Sequence, residues 1–327
     1  MKKYNVAIVG ATGLVGQTFL RVLEEYQFPI NKLKLFASER SVGKEIIYCG
    51  KPHYIEALSK EGFADIDFAL FSAGAQVSLE WGPIAEEAGA IVIDNSKAFR
   101  MNEDCSLIVP EINIDDYKSK RKIIANPNCS TIQSVLPLNA LKKYGLKRVI
   151  YTTYQAVSGS GMKGIEDYKR TQNGEQNAFY PYNISKTCIP QIDSFLDNGF
   201  TKEEMKMIDE TRKILHMPDL CVTATCVRVP VEMSHAVSVI VELEKPFDLD
   251  EVRNDFASHE GIVLVDDVQN SIYPVSTLSN GNDMVYVGRI RRDLSAPNSL
   301  MFYCVADNIR KGAAANAVMI AKKIIEE

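Results

Sequence analysis

Hydrophobic positions along this chain fall into two textures. From residue 4 to about residue 147, short apolar runs alternate with longer stretches of helical spacing. "YNVAIV" (4–9) reads as a strand, "GATGLVG" (10–16) as a turn, and "QTFLRVLEEYQF" (17–28) as a helix with Phe19, Leu20, Leu23 and Tyr26 on one face. Further strands are predicted at 33–38, 66–73, 90–94 and 122–126, with the helical "SLEWGPIAEEAG" among them. Strands alternating with helices make an α/β, Rossmann-like, doubly wound and mostly parallel sheet. After about residue 147, β-branched runs dominate: "RVIYTTYQAV", "CVTATCVRVPV", "HAVSVIVEL", "IVLVDDV" and "DMVYVGRIRRD". They predict a second α+β domain around a mixed, largely antiparallel sheet. The closing "DNIRKGAAANAVMIAKKIIEE" (307–327) is helical again, and its small residues from Gly312 to Ala315 suit close backbone approach. The expected division is a dinucleotide domain over 1–129, completed by helix 307–327, and a catalytic and dimerisation domain over 130–306.

Composition narrows the class. With 327 residues, 46% hydrophobic and 24% charged, the chain can bury two cores. A net charge of −5 without a basic block argues against nucleic acid as partner. Seven scattered cysteines, odd in number and without a C-x-x-C pair, argue against a disulfide framework or a metal site and fit a reducing compartment. The start "MKKYNVAIVG" resembles a short signal peptide, but the glycines after it fit a strand and turn better, so a cytoplasmic location is expected. The most apolar later region, 221–243, is broken by Arg228, Glu232 and His235, and no membrane span is predicted.

Chemistry enters at two places. Gly10, Gly13 and Gly16 lie between a strand and a helix, where absent side chains let a backbone approach a pyrophosphate at the helix N-terminus. A purely structural turn is the competing reading. At the end of the second strand, "ASERSVGK" offers Ser38, Arg40 and Ser41 to a 2′-phosphate, which favours NADP, while Glu39 could hold a ribose hydroxyl and admit NAD. The second place is "IIANPNCSTIQSV" (123–135). Asn126-Pro127 opens a turn, Asn128 can cap a helix beginning near Ser130, and Cys129 falls at that helix N-terminus. A lone cysteine is more often a small buried apolar residue. A helix N-terminus, however, stabilises a thiolate and can receive an oxyanion, as attack on a carbonyl requires. Together the two features suggest hydride transfer through a thiohemiacetal and a thioester.

The stretches "NPNCSTIQ", "TYQAVSGSG", "EEMK", "CVRVPVEMSHA" and "VGRIRRD", in this order, resemble the aspartate-semialdehyde dehydrogenase family over nearly the whole chain, as do "GATGLVG", "ASERSVGK" and "DNIRKGAAANA". The resemblance implies NADPH-dependent reductive dephosphorylation of L-aspartyl 4-phosphate to the semialdehyde and phosphate, on the route to lysine, threonine and methionine, by a homodimer. It implies Cys129 as nucleophile, Gln155 orienting the intermediate and His235 as acid/base. Arg228 would take the substrate carboxylate. Glu203, with Glu204 as its neighbour in doubt, would take the amino group, and Lys206 would join Asn95 and Arg100 around phosphate. The implied dinucleotide contacts are Gly10, Thr12, Gly13, Leu14, Val15, Gly16, Ser38, Arg40, Ser41, Ser72, Gly74, Ser158, Gly159 and Asn308. Arg228 lies seven residues before His235, an odd separation for one straight strand, so a break is predicted at Pro230. The segment 169–193 is short for the family, which bears on helical cover at a dimer interface. Two rivals remain open: N-acetyl-glutamyl-phosphate reductase, whose substrate has an acylated amine, and a non-catalytic NADP-binding partner subunit.

Overall fold

The computed structural model describes residues 2–119 and 121–326. The chain forms two compact units, one of residues 1–127 with 313–327 and the other of residues 128–312.

In the first unit the chain order is β1 (Tyr4–Val9), α1 (Leu14–Glu25), β2 (Ile30–Phe36), β3 (Glu45–Tyr48), β4 (Lys51–Glu56), β5 (Phe68–Phe71), α2 (Ala75–Glu87), β6 (Ile91–Asp94), β7 (Ser106–Leu107), α3 (Pro110–Asn113) and β8 (Ile123–Ala125). The sheet runs β3-β4-β2-β1-β5-β6-β8-β7, parallel except for β3. Its order reverses at β1, which lies between β2 and β5, the kind of switch point where open α/β sheets bind ligands. Phe19, Val22 and Leu23 of α1 pack with Ile8, Leu35 and Leu70 of the strands and with Ala317, Val318 and Ile320 of the C-terminal helix (Ala315–Glu326).

Two departures from the sequence reading have local causes. The β3–β4 hairpin was not predicted: Ile47 is exposed, so apolar alternation is weak, and the turn uses Cys49 at φ 47 beside Gly50 at φ 73. The last helical segment starts three residues later than 307, because the Asp307 carboxylate accepts the N–H groups of Ile309 and Arg310. A π-helical turn over Arg310–Ala314 then leads into the C-terminal helix, and Glu327 lies outside the described residues.

The second unit contains α4 (Cys129–Ala140), β9 (Leu146–Gln155), α5 (Met162–Gln172), α6 (Lys202–Leu215), β10 (Cys221–Arg228), β11 (His235–Leu243), α7 (Leu249–Ser258), β12 (Ile262–Leu264), α8 (Ser276–Ser279), β13 (Val285–Arg292) and β14 (Ser299–Ala306). The mixed sheet runs β10-β9-β11-β14-β13-β12, parallel only at its two outer pairs. Helices α4, α6 and α7 cover one face. Alternation along β9 sends Val149, Tyr151, Thr153 and Gln155 into that buried face and leaves Ile150, Thr152 and Tyr154 on the other. The break between Arg228 and His235 falls where Pro230 predicts it, since β10 ends at the first and β11 begins at the second. Of the segment 169–193, helix reaches only Gln172; beyond it, Ile189 bridges to Arg228 and Phe179 and Tyr182 are exposed.

Candidate active site

In the first unit, Gly10, Thr12, Gly13, Leu14, Val15 and Gly16 make the turn from β1 into α1. Gly10 sits at φ 91, and a Cβ there would stand 2.9 Å from the Ser72 carbonyl carbon. A Cβ on Gly16 would collide with the Gly10 carbonyl oxygen. Gly13 is the N-cap and supplies no capping side chain, so the first-turn N–H groups are left for an anion. The turn therefore fits a dinucleotide pyrophosphate. Ser38, Glu39 and Arg40 are exposed just beyond β2, Ser41 is buried beside them, and Gly74 is the N-cap of α2. After β6, Arg100 donates to the Asn95 carbonyl at 3.0 Å, and Asn126 donates to the Asn95 side chain at 2.7 Å. Asn316 of the C-terminal helix in turn donates to Asn126 at 2.7 Å, tying this corner to the end of β8.

The second unit gathers the other candidates. Asn128 caps α4 with its Oδ1, which accepts the N–H groups of Ser130 and Thr131, so Cys129 is the first helical residue. Its surroundings are fixed from α6: Glu203 accepts from Asn128 Nδ2 at 2.8 Å, and Glu210 accepts the Asn128 backbone N–H at 2.6 Å. Glu203 and Glu210 are seven apart, two helical turns, and both point inward. Gly312 closes the opposite side, where a Cβ would stand 2.7 Å from that of Cys129.

Gln155, Arg228 and His235 come from three adjacent strands at one end of the sheet. Arg228 is the register partner of Gln155, and Ala236 that of Tyr154. All three side chains are buried. Gln155 donates to Glu203 at 3.1 Å, Arg228 donates to the Ala156 carbonyl at 2.6 Å, and His235 Nδ1 accepts the Ala156 N–H at 3.0 Å. Gly159 leaves room beside them: a Cβ there would stand 2.7 Å from the Arg228 guanidinium and 3.0 Å from His235 Nε2. Ser158 and Asn308 exchange hydrogen bonds at 3.0–3.1 Å, and Asn308 also accepts the Ser234 N–H.

Charge in this pocket centres on Glu203. Burial alone would raise its carboxyl, but the Lys206 ammonium at 2.9 Å and the hydrogen bonds from Lys206, Asn128 and Gln155 hold it down at about 2. Lys206 also reaches Asp193 at 3.2 Å, and it lies in the second unit whereas Asn95 and Arg100 lie in the first. Glu204 is excluded from the pocket, since it forms a capping box with Thr201 and accepts the Cys226 N–H. The Cys226 thiol is pushed up by burial and by Glu203, unlike a nucleophile. His235 is held down to about 3 by burial and then by Arg228. Sequence reading missed Glu210 and Asp193; for Glu210, an acid on the buried stripe of an amphipathic helix is the available signal.

Residues 136–311 match a family model described as semialdehyde dehydrogenase, dimerisation domain, and residues 5–120 match one described as semialdehyde dehydrogenase, NAD binding domain. The aspartate-semialdehyde dehydrogenase of Aquifex aeolicus is 49% identical, with 99% of this chain and 98% of that protein aligned. That of Bacillus subtilis is 45% identical over 98% and 97%. A crystal structure of aspartate semialdehyde dehydrogenase II from Vibrio cholerae superposes with a TM-score of 0.95 at 44% identity, covering 100% of this chain and 99% of that one. A second structure of that enzyme, complexed with ASA, gives a TM-score of 0.95 at 43% identity over 100% and 99%.

Proposed function

The chain belongs to the aspartate-semialdehyde dehydrogenase family, and from that premise we propose how its residues perform the family's reaction. The enzyme reduces L-aspartyl 4-phosphate to L-aspartate 4-semialdehyde and phosphate through a thioester on a cysteine, in the biosynthesis of lysine, threonine and methionine. NADPH, when bound, supplies the hydride.

Cys129 is the nucleophile, placed by Asn128 at the positive end of α4, whose first-turn N–H groups favour negative charge at sulfur. Arg228 takes the substrate α-carboxylate through its planar fork. Glu203 takes the ammonium group, exchanging its contact with Lys206 for one with substrate. Gln155 orients the acyl group, and His235 serves as the acid/base. Asn95, Arg100 and Lys206 serve the phosphate. The glycine turn with Thr12, Leu14 and Val15, Ser72, Gly74, Ser158, Gly159 and Asn308 hold the dinucleotide, while Ser38, Arg40 and Ser41 select NADP. The protein works as a homodimer in a reducing cytoplasm.

The observation that carries this reading is the convergence of Gln155, Arg228 and His235 at adjacent strand ends, with Gln155 and Asn128 both bonded to Glu203. The buried Glu203 anion also separates the enzyme from an N-acetyl-glutamyl-phosphate reductase, because an acylated amine brings no positive charge to it.

Purified enzyme should reduce NADP with aspartate semialdehyde in a phosphate-dependent way and fail with N-acetylglutamate semialdehyde. Without phosphate it should give a burst of NADPH near one per site, which Cys129→Ala abolishes while dinucleotide binding stays intact. Turnover of the acylated substrate, or unchanged turnover in the variant, would sink the assignment.

A further inference from the structure

We propose that Asp193 is a positioning residue for amine recognition: it takes over the Lys206 ammonium when the substrate's own ammonium displaces that group from Glu203. The inference rests on the reading of Glu203 as the ammonium ligand, and it adds where Lys206 goes once substrate arrives.

Three charges stand in a row. Lys206 Nζ donates to Glu203 at 2.9 Å and to Asp193 at 3.2 Å, so one cation bridges two carboxylates. Burial opposes the charge on Lys206, but Glu203 and then Asp193 hold its ammonium above the usual lysine range. Lys206 therefore stays charged at neutral pH and needs a counter-ion in every state. With an incoming ammonium there are two cations and two carboxylates, and they pair one to one: substrate with Glu203, Lys206 with Asp193. Were Asp193 neutral, the exchange would strip a partly buried cation of its remaining partner, and that penalty would weaken amine binding. The direction of the exchange follows from burial. The Glu203 side chain is 6% exposed and that of Asp193 is 30% exposed, so the flexible lysine stem moves outward and the inner carboxylate keeps the substrate.

Asp193 is held in place for this exchange. Its backbone takes φ 65, a left-handed conformation that aspartate tolerates better than most side chains. Its Oδ1 accepts the Ser194 N–H at 2.8 Å, and its Oδ2 is the atom turned to Lys206. The Ser194 carbonyl accepts the N–H of Lys202 at 3.0 Å, and Phe195 bridges to Thr201, so the loop is fastened to the start of α6, about one turn before Lys206. Asp193 also lines a cavity of about 320 Å³ with Arg228, Gln191, Ser160 and Tyr180. Arg228 is the proposed carboxylate ligand, so Asp193 borders the space that the amino-acid end of the substrate enters. A bare carboxylate there would repel the substrate carboxylate, whereas one neutralised by Lys206 does not.

The test is a double-mutant cycle read in the phosphate-free burst, where the phosphate duty of Lys206 plays no part. The half-saturating concentration of aspartate semialdehyde for NADPH formation is measured in wild type, Asp193→Asn, Lys206→Gln and the double variant. Asparagine keeps an acceptor for the Ser194 N–H and tolerates the left-handed backbone, so the first substitution removes charge alone. Glutamine can still donate to Glu203 but brings no cation to be displaced. Asp193→Asn should raise the half-saturating concentration roughly fivefold, while the full burst returns at saturating substrate. In the Lys206→Gln background the same substitution should bring no loss. A loss of the same size in both backgrounds would show that Asp193 acts on the substrate or the fold directly, and no loss in the single variant would leave only a solvated ion pair; either result overturns the proposal. Glu203→Gln tests the parent reading by itself: it should raise the half-saturating concentration, and if it does not, the ammonium ligand lies elsewhere and the proposal falls with it. The cycle can fail while Glu203→Gln still shows its loss, so the two failures are distinguishable.

Discussion

His235 and Glu203 both respond to acid in the same direction for different reasons. The folded state keeps His235 neutral down to about 3, whereas an unfolded histidine takes up a proton below about pH 6.5. The unfolded chain then binds more protons, so the stability that His235 contributes above pH 6.5 is lost as pH falls toward 3. Glu203, held at about 2 against an ordinary carboxylate near 4.3, adds a second loss that begins below about pH 4.5. Urea unfolding should show the wild type losing about 2 kcal/mol more than His235→Gln between pH 7 and 5. Glu203→Gln should flatten only the more acidic limb. Parallel lines for wild type and His235→Gln would mean that the ring is protonated in the folded state.

Helices α4 and α6 act as a pair, and the point where they meet makes one cap unlike others. At an ordinary N-cap, aspartate and asparagine serve equally and alanine costs about 1 kcal/mol. Here Asn128 also donates to Glu203, so Asn128→Asp would keep the cap but bring a second carboxylate against a buried one. Thermal unfolding at neutral pH should therefore rank Asn128→Asp below Asn128→Ala, the reverse of the usual order, and the usual order would show that Glu203 is protonated. The same helices mark how far the sequence could be read. The cap at Asn128, the face of α1 and the glycine turn were legible because neighbours in the chain specify them. The choice of Glu203 over Glu204 was left open, since it depends on the Thr201 capping box and on what α6 packs against. Asp193 was illegible for the same reason, and Glu210 showed only as an acid on the buried stripe of α6, because their partners, Lys206 and Asn128, are distant in sequence. The β3–β4 hairpin escaped because an exposed Ile47 and a cysteine in the turn imitate neither a strand nor a tight turn.

At the scale of the whole molecule, the sheet of the second unit has a face opposite the one that α4, α6 and α7 cover. Ile150, Ile240 and Met301 stand in one row of it, and Tyr154 and Tyr303 lie 6.1 Å apart between ring centres on the same face. We expect this face to join two copies, so replacing Tyr154 and Tyr303 by glutamate should give a monomer in sedimentation equilibrium. A dimer of unchanged affinity would place the interface elsewhere, for example at the exposed Phe179 and Tyr182. The chain crosses between its two units at 127–128 and again at 312–313, and just inside those crossings Cys129 and Gly312 touch. Gly312 performs no chemistry, yet any side chain there would press on the Cβ of the nucleophile. In a population of variants selected for growth, a neutral-looking alanine at 312 should be depleted alongside loss of the thiol, although it removes no reacting group.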